Sequence, residues 1–468
     1  MKNLQLASLV EWWIEVAIIL LLVSGVASAV EIAYGPYLSN LTRNSVVVNW
    51  ITDVPCSSYV EYGTDEALGF SARDTALVYV HHLGLIRLLP FTRYYYRVHY
   101  PEDESDIFSF KTMPTGSTPF SFMAFGDTRT DRFNRSRVAM QMETEEDAIF
   151  VLHTGDIVED GADSSLWQNY FEDYCDVSHL ACNHPIFYAL GNHEHHGSYY
   201  FDYFDQPHNN PDSTETYYSF DAGSRVHFIC LSTEDDYSEG SPQYVWLDND
   251  LAASEGRYDH TIVFFHRPPY SANLGHGSEM DVRETICPLM EGRGVDLVFN
   301  GHNHWYERSI PINGITYIVA AGGGAPLSPI FNPFEWFLLT YEINFHYVVC
   351  RYMLDASMHC EAISVSGDLI DSFSVSSALK VIDAVPKQFE MNAYPNPFNS
   401  SVIISVGALP ANIEIYDLLG NCVWSRTIPR LAPAELVWTP EKTVPSGIYL
   451  VRATVGEKSL SKRVVYLK

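Results

Sequence analysis

Six side chains that could bind metal ions follow short apolar runs in the middle of the chain. The runs are SFMAFG, IFVLHTG, PIFYALG, TIVFF and VDLVFNG, and the side chains that follow them are Asp127, Asp156, Asn192, His266, His302 and His304. Carboxylate and amide oxygens mixed with imidazole nitrogens suit zinc, manganese or iron, whereas calcium prefers oxygen ligands alone. Six such ligands are enough for two cations that share one carboxylate. The sequence therefore predicts a two-metal site.

Two kinds of segment alternate in this part of the chain and must position these side chains. From residue 119 the apolar runs are separated by longer amphipathic stretches such as SRVAMQMETEEDA and PQYVWLDNDLAAS, a pattern typical of an α/β region. In open α/β sheets, functional sites gather outside the carboxyl ends of the strands. We therefore expect five strand ends to deliver their polar residues to one crevice.

Regions of different character flank the α/β region, which is predicted over residues 118–376. Residues 31–113 alternate apolar and polar positions, as in SVVVNWIT and SSYVEYG, which predicts a small β-sandwich. A linker is predicted over 377–390 and a second small β-sandwich over 391–468. Residues 1–29 end in VAIILLLVSGVASA, a pattern typical of a signal peptide with its cleavage site. An uncleaved membrane anchor is the alternative interpretation. The apolar stretch is short for a membrane span, so no stable transmembrane segment is expected.

The composition restricts the partners of this protein. The chain of 468 residues has a formal net charge of −30, from 58 acidic and 28 basic residues. This charge repels nucleic acids and anionic membranes, so no nucleic-acid binding surface is expected. The eight cysteines include no CxxC pair, which argues against a zinc ribbon. Cys175 with Cys182, and Cys350 with Cys360, could each close a disulfide loop, or all four could be buried thiols.

The order of the polar motifs, GD, GD, GNHE, H and GHxH, is similar to that of the calcineurin-like metallophosphoesterases. HRPPYS and GHNHWYERS resemble the purple acid phosphatase branch, and the resemblance extends over residues 31–376. It implies a fibronectin-III-like N-terminal domain and a central two-sheet sandwich flanked by helices. Phrases such as YPNPFNSSVIISV and SGIYLVRATV in residues 391–468 resemble the C-terminal sorting domain of the bacterial type IX secretion system. The type IX machinery is therefore an expected partner, and the protein is expected to be secreted or at the cell surface.

The resemblance also implies the metal ligands. Two iron, zinc or manganese ions are expected, divalent or trivalent. The first ion is bound by Asp127 and His304, and Asp156 bridges both ions. The second ion is bound by Asn192, His266 and His302.

Three further residues are implied in catalysis. His193 matches the family position of the acid that protonates the leaving oxygen. His276 stands about where related phosphatases place a second substrate-facing histidine, although a mobile surface histidine is the alternative. Arg129 could bind a phosphate oxygen or form a structural salt bridge.

Two positions depart from the family pattern. Arg129 stands where the wider superfamily often has a histidine, and Glu159 stands where purple acid phosphatases have a tyrosine. The first metal site could be completed by Glu159, by water or by another side chain. Because the tyrosine is absent, the purple colour of an iron phenolate is not implied.

The sequence predicts a secreted phosphoesterase that hydrolyses small phosphate monoesters by attack of a metal-bound hydroxide. A phosphodiesterase or nucleotide hydrolase is the alternative among enzymes. A catalytically inactive cell-surface binding protein on the same fold is the alternative of another class.

Overall fold

The computed structural model describes residues 30–101, 103–194, 197–377, 391–406, 411–428, 435–455 and 458–468. The predicted signal peptide, and the predicted linker beyond its first residue, lie outside the described residues. The chain divides between residues 379 and 380 into two compact units.

The N-terminal part of the first unit is a network of six β-strands. Their bounds are β1 (Ile32–Ser39), β2 (Ser45–Gly63), β3 (Phe70–Ile86), β4 (Arg93–Tyr100), β5 (Asp103–Glu104) and β6 (Phe108–Lys111). The order is β1-β2-β4-β5, with β3 paired to β2 and β6 paired to β4. Alternate residues of β2, Val46, Val48 and Trp50, are fully buried, as expected for a strand with one face on the core. This is the predicted N-terminal β-sandwich.

Thirteen strands follow in the described part of the central region. Their bounds are β7 (Phe120–Phe125), β8 (Ala148–His153), β9 (Ile186–Tyr188), β10 (Tyr218–Ala222), β11 (Val226–Cys230), β12 (His260–Phe265), β13 (Val295–Asn300), β14 (Tyr306–Ser309), β15 (Thr316–Ala320), β16 (Leu338–Glu342), β17 (His346–Tyr352), β18 (Ser357–Ser364) and β19 (Leu369–Ser376). They form two sheets, in the orders β19-β18-β17-β7-β8-β9 and β10-β11-β12-β13-β15-β14-β16. The strands that lead to the motifs are parallel within each sheet.

The helices of this region are short. Their bounds are α1 (Arg132–Glu143), α2 (Ser164–Phe171), α3 (Leu180–Asn183), α4 (Ser198–Tyr203), α5 (Pro242–Ser254), α6 (Met280–Thr285) and α7 (Cys287–Met290), with a π-helical segment at Glu172–Val177. The side chain of Asp131 caps α1 by accepting from the Asn134 amide, and Ser241 caps α5 by accepting from the Tyr244 amide. Such caps satisfy backbone donors that have no partner within the helix.

The two central sheets stack face to face. The ring of Phe122 on β7 lies 5.1 Å from that of Phe228 on β11, which belongs to the other sheet. Val138 of α1 packs on the outer side of the first sheet, and Leu247 of α5 packs on the outer side of the second. A two-sheet sandwich flanked by helices is therefore confirmed. The strands that lead to the motifs are divided between the two sheets.

The second unit is a smaller β-structure. Its strands are β20 (Met391–Tyr394), β21 (Val402–Val406), β22 (Ala411–Tyr416), β23 (Cys422–Ile428), β24 (Glu435–Trp438), β25 (Gly447–Val455) and β26 (Lys458–Tyr466). They form two antiparallel sheets, in the orders β20-β21-β24 and β23-β22-β25-β26. Val402, Ile413 and Trp438 are buried in one shared core. This is the predicted C-terminal β-sandwich.

Cys350 on β17 and Cys360 on β18 face each other across the antiparallel pair and form a disulfide. Cys175 and Cys182 are buried thiols. Among the described residues, no helix has the length and apolar character that a membrane span requires.

Candidate metal centre

The six predicted ligands lie together at the carboxyl ends of the motif strands. The ligand atoms of five of them form two groups in which all atoms lie within 4.8 Å of one another, and Asn192 Oδ1 lies 3.1 Å from His266 Nε2. One group contains Asp127, Asp156 and His304, and the other contains Asp156, His266 and His302. Asp156 is common to both. The two stacked sheets thus bring residues from β7, β8, β12 and β13 to one place, and their proposed roles as ligands stay predictions.

Three of these residues have an unusual backbone conformation. Asp127, Asp156 and His302 have φ values of 58°, 56° and 69°. Left-handed backbone costs a residue with a Cβ about 1–2 kcal/mol, and such strain is concentrated at functional sites. The turns also require glycine, because a Cβ at Gly301 would lie 2.6 Å from Asp127 Oδ2. The turns at these strand ends therefore accept an unfavourable backbone conformation that directs their side chains toward the site.

The second group converges on His266 Nε2. His266 Nδ1 donates to the Thr154 carbonyl at 2.9 Å, which leaves Nε2 with a lone pair in the neutral ring. His266 Nε2 lies 3.1 Å from Asn192 Oδ1, 3.1 Å from His302 Nδ1 and 3.2 Å from Asp156 Oδ1. The atoms that face His266 Nε2 are thus an amide oxygen, a carboxylate oxygen and a second imidazole nitrogen, and such a set attracts a positive charge, either a proton on His266 or a metal cation. The donor set therefore fits a transition-metal ion.

The charges around this group also favour a cation. Burial opposes a charge on His266, but the Asp156 carboxylate raises the pKa of His266 to about 10. Burial, followed by repulsion from His266, lowers the pKa of His302 to about 2. One positive charge is therefore stabilised at this point, and a second protonated imidazole is disfavoured.

The first group is more complex. His304 Nδ1 donates to the Pro326 carbonyl at 2.8 Å, and His304 Nε2 lies 3.5 Å from Asp127 Oδ1. Burial raises the pKa of Asp127 well above its usual range, as expected for a carboxylate that lacks water. The Arg129 guanidinium lies 3.4 Å from Asp156 Oδ2 and 3.4 Å from His304 Nε2. The first group therefore holds three ligand atoms with a cationic side chain at its edge.

Among the described residues, the ligand atoms of the first group come from Asp127, Asp156 and His304, and Glu159 is not one of them. Its carboxylate forms an ion pair with Arg129 and accepts from the Thr130 hydroxyl at 2.6 Å. Glu159 was one of the alternatives for completing the first metal site, but its carboxylate is paired with the Arg129 guanidinium.

His193 and His276 lie beside the two groups. His193 Nδ1 donates to the Glu159 carbonyl at 2.7 Å, which turns Nε2 toward Asp156 Oδ2 at 3.8 Å. The ring of His276 is exposed and lies 4.3 Å from that of His302. All nine residues predicted from the sequence are therefore brought to one site, with His193 at its side and His276 at its mouth.

Glu194 supports the site, and the sequence analysis assigned it no role. It is fully buried, and its carboxylate accepts from the amides of Gly191 at 2.7 Å, Asp156 at 3.1 Å and Ile157 at 2.7 Å. Burial, and then the charge of Asp156, raises the pKa of Glu194 to about 7. Glu194 connects the turns that carry Asp156 and Asn192. The last letter of the GNHE motif is the signal by which it could have been found.

Three family models match the chain. They are the calcineurin-like phosphoesterase over residues 120–306, the purple acid phosphatase N-terminal domain over 35–112 and the secretion system C-terminal sorting domain over 392–467. The first match covers the central domain up to residue 306, and the other two cover most of the N-terminal sandwich and of the second unit.

Curated relatives and solved structures agree with these matches. The chain is 30% identical over 304 residues to the probable purple acid phosphatase 20 of Arabidopsis thaliana, an overlap of 58% of this chain and 68% of the relative. It is 27% identical over 331 residues to the phosphoenolpyruvate phosphatase of Allium cepa, an overlap of 64% and 66%. The purple acid phosphatase PPD1 from Lupinus luteus seeds superposes with a TM-score of 0.64 at 22% identity, covering 73% of this chain and 74% of that one.

The likeness in fold and the ordered motifs imply a dinuclear metal centre, and the two ligand groups sharing Asp156 fit it. The chain therefore belongs to the purple acid phosphatase family and is a metal-dependent phosphatase.

Proposed function

We propose that this protein is an exported phosphatase that hydrolyses phosphate monoesters with two cations held by the two ligand groups. The observation that carries the proposal is the convergence of three potential ligand atoms, from Asn192, Asp156 and His302, on His266 Nε2 at 3.1 to 3.2 Å. The name of the Allium cepa relative refers to a monoester, phosphoenolpyruvate, which supports this class of substrate.

The chemistry is divided between the ions and the side chains of the chain. When bound, the ions supply a nucleophile from water near neutral pH and neutralise the charge of the phosphoryl group. The Arg129 guanidinium, held by Glu159, faces the same space and can donate parallel hydrogen bonds to phosphate oxygens. It would orient the phosphoryl group between the two ligand groups.

The leaving oxygen needs a proton, and we assign this role to His193. Its Nδ1 is bound to the Glu159 carbonyl, so Nε2 is the nitrogen directed toward the centre. A protonated His193 donates from Nε2 to the leaving oxygen. His276, at the mouth beside His302, would contact the part of the substrate beyond that oxygen.

The proposed metal pair is drawn from iron, zinc and manganese, because both groups mix imidazole with carboxylate. The export route is the type IX system, which the match of residues 392–467 to a secretion sorting domain supports. The predicted signal peptide would direct the first step across the inner membrane.

The test combines metal analysis with two substrates, an aryl phosphate monoester and the matching bis-aryl diester. We expect two ions per chain and faster hydrolysis of the monoester. Asp156→Asn should bind less metal and lose at least about 100-fold in kcat/KM, because loss of a residue that only supports a metal ligand already costs about 10–100-fold. Asp103→Asn, an exposed residue of the N-terminal sheet, is the matched control.

Faster diester cleavage would replace the monoester assignment by phosphodiester hydrolysis. Full metal content with normal turnover in Asp156→Asn would remove Asp156 from the centre.

A further inference from the structure

A third group of potential ligands lies in the loop between α4 and β10, outside the phosphatase centre. Ligand atoms of Asp205, His208 and Glu215 all lie within 4.8 Å of one another. None of the three belongs to the nine residues of the centre, so the group needs its own explanation.

The orientation of His208 directs one nitrogen at both carboxylates. Nδ1 donates to the Ser213 carbonyl at 3.1 Å, and Nε2 lies 3.0 Å from Glu215 Oε1 and 3.7 Å from Asp205 Oδ1. Atoms that bind one tetrahedral zinc ion at about 2.0–2.1 Å lie about 3.3 Å apart. The separation of 3.7 Å is too long for a hydrogen bond. It is close to the spacing of two ligands of the same ion.

Glu215 is buried although it is acidic. Only 6% of the residue is exposed, and Oε2 has no hydrogen-bond partner of standard geometry among the described residues, although the Gln206 backbone amide favours the charged form of the carboxylate. Burial raises the pKa of Glu215 to about 8. A buried carboxylate oxygen without a partner is costly, and a bound cation offsets that cost.

The loop holds the three side chains in place without help from an ion. Asn210 donates to the Thr214 carbonyl at 2.6 Å and accepts from the Thr214 amide at 3.1 Å. Asn209 donates to the Ser219 carbonyl at 2.7 Å and accepts from the Ser219 amide at 3.2 Å. These contacts fix the segment between His208 and Glu215, so the ligand set is preorganised.

We propose that Asp205, His208 and Glu215 bind one divalent transition-metal ion, with zinc as the best fit, in a structural site separate from the phosphatase centre. One imidazole with two carboxylates suits zinc, whereas calcium prefers oxygen ligands alone. His208 is exposed, so water can complete the coordination.

The ion would fasten the loop to the N-terminal sheet. Asp205 Oδ2 accepts from Asn40 Nδ2 at 3.4 Å, and His82 Nε2 donates to the Asp202 carbonyl at 3.1 Å. Both Asn40 and His82 belong to the N-terminal β-region. A rigid ligand set at this boundary would stabilise the first unit without taking part in catalysis.

The experiment measures zinc bound per chain in the full-length protein, after chelation and dialysis against zinc. The wild type should bind one ion more than His208→Ala and one more than Glu215→Gln. Both variants should keep the kcat of the wild type, and excess zinc should raise their Tm less. His359→Ala is the matched control, because His359 is also a surface histidine near a carboxylate, Glu361 at 3.6 Å.

Equal zinc content in the wild type and Glu215→Gln would overturn the proposal. His208 would then be a protonated partner of Glu215 in an ordinary ion pair. If His208→Ala does not fold, the nearly isosteric Glu215→Gln provides the comparison. Anomalous diffraction at the zinc edge, from crystals of the unmodified protein, tests the site without any variant. A peak between His208 and Glu215 supports the proposal, and no peak there overturns it.

Discussion

Arg129 forms an ion pair with Glu159 at the edge of the first ligand group. Glu159 stands where purple acid phosphatases have a tyrosine. In this chain the side chain at that position binds the Arg129 guanidinium. The Thr130 hydroxyl donates to the same carboxylate at 2.6 Å. Two departures from the family pattern are thus coupled, since one supplies a positive charge and the other holds it in place.

The first prediction concerns colour. The iron-loaded wild type should lack a strong visible absorption band, because the band requires a phenolate ligand to iron(III) and position 159 carries a carboxylate. Glu159→Tyr should gain the band, whereas Glu159→Phe, which has the ring without the hydroxyl, should not. Absorption spectra of the three proteins at equal iron content provide the measurement. A purple wild type would show that another tyrosine has entered the first site.

The second prediction concerns His193 as the acid. His193→Ala should keep its metal content and lose roughly 10²–10⁴-fold in kcat on alkyl phosphates, the range typical of general acid catalysis. The loss should be much smaller on aryl phosphates, because a phenolate leaves without a proton. The measurement is kcat for both ester classes at full metal occupancy.

His276→Ala is the comparison for this prediction, since His276 lies at the mouth and should affect KM more than kcat. Equal kcat losses of His193→Ala on both ester classes would reject the acid role.

The third prediction separates the two units. A chain that ends at residue 390 should keep the kcat and KM of the full protein, because all nine site residues lie in the first unit, which ends at residue 379. The same chain should fail to reach the outside of a cell that uses the type IX system. Enzyme assays on purified protein and cell fractionation provide the two measurements. Loss of catalysis after truncation would show that the second unit supports the phosphatase.

The fourth prediction is a pH dependence of stability at His227, which lies outside the metal-site motifs. Nδ1 lies 2.7 Å from Asp221 Oδ1 and Nε2 lies 2.8 Å from Asp250 Oδ2. Burial opposes the charge, but these two hydrogen bonds raise the pKa of His227 from 6.5 to about 9. A raised histidine pKa stabilises the folded state fully below pH 6.5, and the stabilisation is lost as the pH rises through 9.

Protonated His227 therefore contributes about 3 kcal/mol to the free energy of unfolding. The unfolding transition of the first unit should therefore move to lower temperature between pH 6.5 and 9 in the wild type, and less so in His227→Gln. Calorimetry across this range provides the measurement, with His359→Gln as the surface control. An identical pH profile in His227→Gln and the wild type would contradict the linkage.

Much of the fold was predictable from the sequence because its signals are local. Alternating residues in SVVVNWIT specify a strand with one buried face, and β2 has this pattern of burial. Each metal motif is a strand followed by a tight turn, so its polar residues could be placed at strand ends from the chain alone. The order of the motifs, and the phrases near the C-terminus, were enough to indicate the family and the sorting domain.

The tertiary structure decided which groups meet. Whether Asp127 and His266 come from one sheet or two depends on how the sheets stack, and stacking is a property of packing between distant segments. The pairing of Arg129 with Glu159, and the position of Glu194 beneath two turns, likewise depend on contacts between separate strand ends.

The loop of Asp205, His208 and Glu215 shows the same limit most clearly. The sequence of this loop has no hydrophobic periodicity and matches no motif. Its three side chains meet only because Asn209 and Asn210 hold the loop in a folded conformation. Local propensity therefore determined the elements and their polar ends. The free energy of packing, which has no local signature, determined the partners of each side chain.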